Sequence, residues 1–123
     1  MFLEKPADIF DCISHIEEIK SEINTDKIYD VFIVLDCADD RLGDAGPLFD
    51  NAGKRINIDH HISNPGCGDV RIVEADRSST AELLYDLMDA DKIDREIATA
   101  LYIGIIHDTG VLRYSNTSPR TLQ

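Results

Sequence analysis

Residues 30–36 read DVFIVLD, an unbroken apolar run from Val31 to Leu35 with an aspartate at each end. A run this short, dense in β-branched residues and closed by an acid, predicts a buried strand of a parallel sheet ending at Asp36. Two further stretches have strand character, 54–59 (KRINID) and 70–74 (VRIVE). Helical patterns lie between and after them. One covers about 45–52 and stops near Gly53. Another opens at Ser78 or Ser79, with Glu82 placed for a capping box and Leu83, Leu84, Leu87 and Met88 as its apolar residues. A third fits 94–106 through Ile97, Ala98, Leu101, Ile105 and Ile106. Strands alternating with helices predict one α/β domain with a mostly parallel sheet.

The flanks are less regular. Residues 1–4 suit the tail of a strand. Residues 7–23 set Ile9, Phe10, Ile13, Ile16, Ile19 and Ile23 at helical spacing. The tail after Gly110 reads as a short extended piece, a polar turn and the start of a helix at Ser118-Pro119.

The chain carries 24 acidic against 12 basic residues, a formal charge of -12, which argues against a broad electrostatic grip on nucleic acid. Bound cations can reverse the field locally, so phosphate esters stay within reach. Cys12, Cys37 and Cys67 are odd in number and lack metal-type spacing, which predicts free thiols in a reducing cytoplasm. No apolar run is long enough to span a bilayer and no signal-peptide pattern opens the chain.

In parallel sheets ligands bind at the carboxyl ends of the strands. Asp36 closes one predicted strand and Asp59-His60-His61 closes the next, so both belong to one edge. Asp108 follows a further apolar run, in GIIHDTG. Carboxylate oxygens with imidazole nitrogen suit Mn²⁺, Fe²⁺ or Co²⁺, and a pair of such ions about 3.5–4 Å apart can clamp a phosphoryl group. Each residue also has an ordinary reading. Asp36 and Asp108 are the kind of residue that caps helices or makes turns, and two histidines can end a strand through hydrogen bonds alone. His15 lies on a charged segment and reads as solvated, while His107 reads as packing beside the site.

The order of these features resembles the DHH phosphoesterase family, named for an Asp-His-His such as 59–61. The likeness runs from VFIVLDCAD through NIDHHISN and SSTAELLYDL to GIIHDTGVLRYSNTSPRT. It is nearest to the small oligoribonucleases that also remove phosphate from 3′-phosphoadenosine 5′-phosphate. The resemblance implies a doubly wound domain with helices on both faces, and a phosphoesterase acting by a hydroxide bound to two metals, usually Mn²⁺. Asp36 matches the bridging acid, His60 an imidazole ligand and Asp108 the closing carboxylate of the same ion. Asp59 matches the residue that orients the histidines, and His61 the one facing the substrate phosphate. Arg113, Ser115, Asn116 and Thr117 lie downstream, where a phosphate contact or a plain hydrogen-bonded turn both fit.

The family pattern also includes an earlier His-x-x-x-Asp-x-Asp, and no such motif precedes Asp36; PADIFDCISH has the groups in the wrong order. The expectation is therefore a DHH-type domain over 1–123, truncated at both ends. It would hold at most one well-formed metal site, be inactive alone and associate with another copy through an exposed sheet edge. Two other readings stay open. One is a cyclic-dinucleotide phosphodiesterase or inorganic pyrophosphatase of the same superfamily. The other is a non-catalytic fragment that binds nucleotide or protein.

Overall fold

The computed structural model describes residues 5–123, so the reading of 1–4 lies outside the described residues. Three parallel strands form one sheet in the order β1 (Val31–Leu35), β2 (Lys54–Asp59), β3 (Val70–Val73). Val31 pairs with Lys54 and Leu35 with Ile58, while Asp59 pairs with Val73, so the carboxyl ends of the strands fall on one edge. Helices α1 (Gly46–Asp50), α2 (Thr80–Leu87) and α3 (Arg95–Asp108) complete an α/β fold.

Side chains alternate across the sheet, and the two faces are covered differently. Phe32 and Val34 meet Phe49 of α1 and Cys67 to form a core, with the Phe32 and Phe49 ring centroids 5.9 Å apart in an edge-to-face contact. On the opposite parity Ile58 is buried, and α2 packs against β2 and α3. The β1 end of that second face is open. Val31, Ile33 and Leu35 are 48%, 52% and 40% exposed, so β1 is half-buried and not the buried strand its composition suggests. A strand is buried on both faces only when an element covers each, and no described element covers this one.

The helix starts obey local rules. Ser79 caps α2, its hydroxyl accepting from the Glu82 N–H at 3.0 Å, while the Glu82 carboxylate accepts from the Ser78 N–H at 2.7 Å. This is the capping box displaced by one residue on its return bond. Asp94 caps α3 by accepting from Ile97 at 2.9 Å. Gly104 lets α3 approach α2 closely, since a Cβ there would stand 2.8 Å from the Ala81 methyl.

Two further expectations fail, and no helix starts at Ser118-Pro119, where the chain only turns. Residues 7–23 form 3-10 turns at Asp8–Phe10 and Ile16–Glu18 in place of a helix, with His15 left-handed between them. None of the segment's apolar residues is fully buried and Ile9 is 79% exposed, so the stripe has no surface to stabilise it. After Gly110 the extended piece is replaced by a left-handed turn at Val111 and Leu112. Thr109, itself fully buried, organises that turn: its carbonyl accepts from Arg113 and Tyr114, each at 2.9 Å.

Candidate metal centre

The site is built where β1 and β2 end. Asp36 follows β1 with φ 62°, a left-handed conformation that aspartate tolerates better than most residues. Its N–H still donates to the Ile58 carbonyl at 3.0 Å, so the turn begins only after the last ladder bond. Thr80, the first residue of α2, donates its hydroxyl to Asp36 Oδ1 at 2.6 Å. The carboxylate is thereby held in place while staying open to solvent.

Asp59 ends β2 and is 1% exposed. Burial alone would raise its pKa. Hydrogen bonds from Asn64 and from the backbone and ring of His61, with the His60 N–H, outweigh that and hold it below the ordinary carboxylate range. Its Oδ1 accepts from the His60 N–H at 2.6 Å, the His61 N–H at 3.0 Å and the His61 ring Nδ1 at 2.7 Å. Asp59 therefore shapes the Asp-His-His turn and contributes no free oxygen to an ion.

The rings of His60 and His61 stand 4.5 Å apart and do different things. His60 Nδ1 lies 3.2 Å from the Arg77 carbonyl oxygen, which can only accept, so Nδ1 carries a proton and, in the neutral ring, Nε2 is the atom with a lone pair. That Nε2 is buried without a hydrogen-bond partner, 3.0 Å from Asp108 Oδ2 and 3.7 Å from Asp36 Oδ1. A lone pair facing two carboxylates is repulsive unless a cation lies among them. His61 uses Nδ1–H on Asp59, a bond that raises its pKa, and its ring is 43% exposed.

Asp108 reaches the centre from the last turn of α3, which runs past the expected end at 106. The structure thus brings together Asp36, Asp59, His60, His61 and Asp108, and ligating atoms of Asp36, His60 and His61 all lie within 4.8 Å of one another. Hard oxygens and one imidazole fit a Mn²⁺-like ion. Cys37 lies outside this cluster of ligand atoms, and burial and then Asp59 push its thiol pKa up.

The downstream residues sit differently. Asn116 directs its amide to the carbonyls of Ser78 (2.7 Å) and Asp108 (3.2 Å), bracing α2 against the end of α3. Arg113 and Ser115 are exposed, and Thr117 is half-buried with an unpartnered hydroxyl. His15 pairs with Glu18 and Glu96, and exposed His107 faces the Phe10 ring at 5.7 Å. Sequence reasoning missed Asn57, Asn64, Arg77 and Thr80. Asn57, 0% exposed, accepts from Asn64 and Cys67 and donates to the Cys37 carbonyl at 2.9 Å, tying the two strand ends together. Thr80 lies in the quoted SSTA stretch, a signal that could have found it.

Residues 2–105 match the family model described as DHH family, N-terminal domain. The chain belongs to the DHH family. A relative in Thermus thermophilus, described as a bifunctional oligoribonuclease and PAP phosphatase, NrnA, is 41% identical over 70 residues, 55% of this chain and 22% of the relative. The Bacillus subtilis protein of the same description is 32% identical over 97 residues, 74% of this chain and 30% of its own length. The chain thus spans less than a third of either. The crystal structure of an exopolyphosphatase-related protein from Bacteroides fragilis superposes with a TM-score of 0.68 at 29% identity, covering 76% of this chain and 29% of that one. These likenesses accord with the α/β fold seen here, and the DHH turn itself is the Asp59-His60-His61 just described.

Proposed function

We propose that this chain is the metal-binding core of a phosphoesterase that hydrolyses short oligoribonucleotides or 3′-phosphoadenosine 5′-phosphate. The carrying observation is the buried, unpartnered His60 Nε2 set between Asp108 and Asp36. The substrate class is supported by the descriptions of the Thermus and Bacillus relatives, proteins more than three times as long as the segment they share with this chain.

Asp36, His60 and Asp108 would hold one Mn²⁺, and Asp36 would be shared with a second ion where one is bound. Such ions supply Lewis-acid charge to a phosphoryl oxygen and lower the pKa of water. The protein's own part is orientation and proton handling. Arg77 fixes the His60 tautomer, and Thr80 fixes the Asp36 rotamer. Asp59 favours the protonated His61, whose Nε2–H is then free to give a proton to the leaving oxygen. Three ligands complete one ion only, so this chain alone binds a single ion and turns over slowly or not at all.

Calorimetric titration with Mn²⁺, run beside hydrolysis of a short oligoribonucleotide, tests the reading. Binding of one ion that chelator reverses supports it. No Mn²⁺ binding at all would overturn it and leave a non-catalytic fragment.

The reading carries a proposal on assembly. Among the described residues β1 is an edge of the sheet with an exposed apolar face, the kind of edge that pairs with another chain. Association through β1 predicts a dimer in light scattering; a monodisperse monomer would refute it. A cytoplasmic location goes with the three free thiols, and no helix among the described residues is long and apolar enough to cross a membrane.

A further inference from the structure

A cavity of about 390 Å³ opens beside the metal centre, between the end of β1 and the loop after the histidines. His61, Asn64 and Ser63 form one wall and Cys37, Ala38 and Arg41 the other. This is the volume of a site for a small ligand and holds a nucleotide-sized group. It begins at His61, whose ring is held by Asp59 through Nδ1 and stays 43% exposed.

Arg41 is the unexpected group in that wall. Elsewhere the structure spends its guanidinium groups: Arg55 on Asp69, Arg77 on Glu74 and Asp86, Arg120 on Asp86. The Arg41 guanidinium has no ion pair or hydrogen bond among the described residues, although Asp39 and Asp40 adjoin it in the chain; only its backbone N–H is engaged, on the Ala38 carbonyl at 3.2 Å. Arg95 and Arg113 are also unpaired, but neither lines the cavity. An arginine kept free beside a phosphoryl-transfer centre is equipped for bidentate binding of phosphate.

We propose that this cavity takes a second phosphate of the substrate, one step removed from the phosphate being cleaved, and that Arg41 binds it. The inference rests on the phosphoesterase reading and deepens it by one residue: Arg41 selects a substrate that carries a second phosphate over one that carries only the phosphate being cleaved. The wall also includes Asp39, Asp40 and Asp59. Asp59 is consumed by its hydrogen bonds, whereas Asp39 and Asp40 leave the cavity acidic on balance. Phosphate therefore enters only when the neighbouring metal centre is loaded.

Calorimetry on the whole chain with saturating Mn²⁺ tests this, using adenosine 3′,5′-bisphosphate and adenosine 5′-monophosphate as probes. The expected result is tighter binding of the bisphosphate and loss of both ligands with chelator. Arg41→Gln should weaken the bisphosphate by about tenfold or more, as loss of a charged hydrogen bond does, and leave the monophosphate unchanged. Arg41→Lys should restore part of the difference, and Arg95→Gln, outside the cavity, should change neither. Discrimination that survives Arg41→Gln, or equal binding of both probes by the unaltered chain, would overturn the proposal. Failure of both probes to bind to a Mn²⁺-loaded chain would overturn the phosphoesterase reading along with it.

Discussion

His60 Nδ1 stands 3.2 Å from the carbonyl oxygen of Arg77, and this one contact decides what the other side of the ring can do. With the proton on Nδ1, Nε2 presents a lone pair to Asp108 and Asp36. Replacing His60 with alanine should therefore weaken Mn²⁺ binding by more than the roughly 10–100-fold typical of losing a ligand's supporting partner. Circular dichroism should show the fold kept. In a full-length relative such as the Bacillus subtilis protein, alanine at the matching histidine should abolish Mn²⁺-dependent hydrolysis, and unchanged turnover there would sink the assignment.

The Arg77 carbonyl is itself held in position. The guanidinium bonds Glu74 at 2.7 Å and pairs with Asp86, which Arg120 also contacts at 2.7 Å. Arg77→Ala should free this turn and weaken Mn²⁺ by about tenfold. Arg77→Lys keeps one ion pair and should recover part of the loss. A stability change with unaltered metal affinity would show that the network acts only on the fold.

Asn57 joins the two strand ends through an entirely buried side chain. Asn57→Ala would strip the Cys67 N–H of its acceptor and remove one partner of Asn64. A loss of about 1–3 kcal/mol in urea unfolding is expected, the range for orphaned buried donors. A loss below about 0.5 kcal/mol would mean that the loop re-pairs on its own.

Asp69 and Arg55 latch the start of β3 to β2. The Arg55 side chain donates to both carboxylate oxygens and its N–H to Oδ2 at 2.8 Å, while the Asp69 N–H returns to the Arg55 carbonyl at 2.9 Å. Glycine at 68 permits this approach, since a Cβ there would meet the Arg55 carbonyl oxygen at 2.8 Å. The side-chain bond from Arg55, and then its N–H, lower the Asp69 pKa from 3.8 to about 2. A depressed acid stabilises the fold above its unfolded pKa, and that share is lost as pH falls from about 4 toward 2. In acid unfolding, Asp69→Asn should lower stability at neutral pH and flatten this limb. An unchanged limb would show that the latch contributes nothing.

Much of the fold was legible because local pattern and burial coincide there. KRINID is bounded as a strand at the residues expected, and Ser79 caps α2 as its pattern implied, whereas Asp94 was read as the first residue of α3 and proves to be its cap. The 7–23 stripe shows the limit, since helical spacing stabilises a helix only where a surface covers it. Of the site, the titratable residues at strand ends stood out, because acids and paired histidines after apolar runs are conspicuous. Asn57, Asn64, Arg77 and Arg41 were not visible: a lone polar residue has no period, and its role depends on what faces it.

Sequence by itself determined the strands, the helix caps and the placing of Asp36 and Asp59-His60-His61 at one sheet edge, since alternation and capping act over a few residues. Tertiary structure decided which ring nitrogen of His60 is bare, that Asp108 reaches it from the end of α3, and that Arg41 is left unpaired beside His61. Those outcomes depend on groups far apart in the chain meeting at distances near 3 Å, which only packing can set.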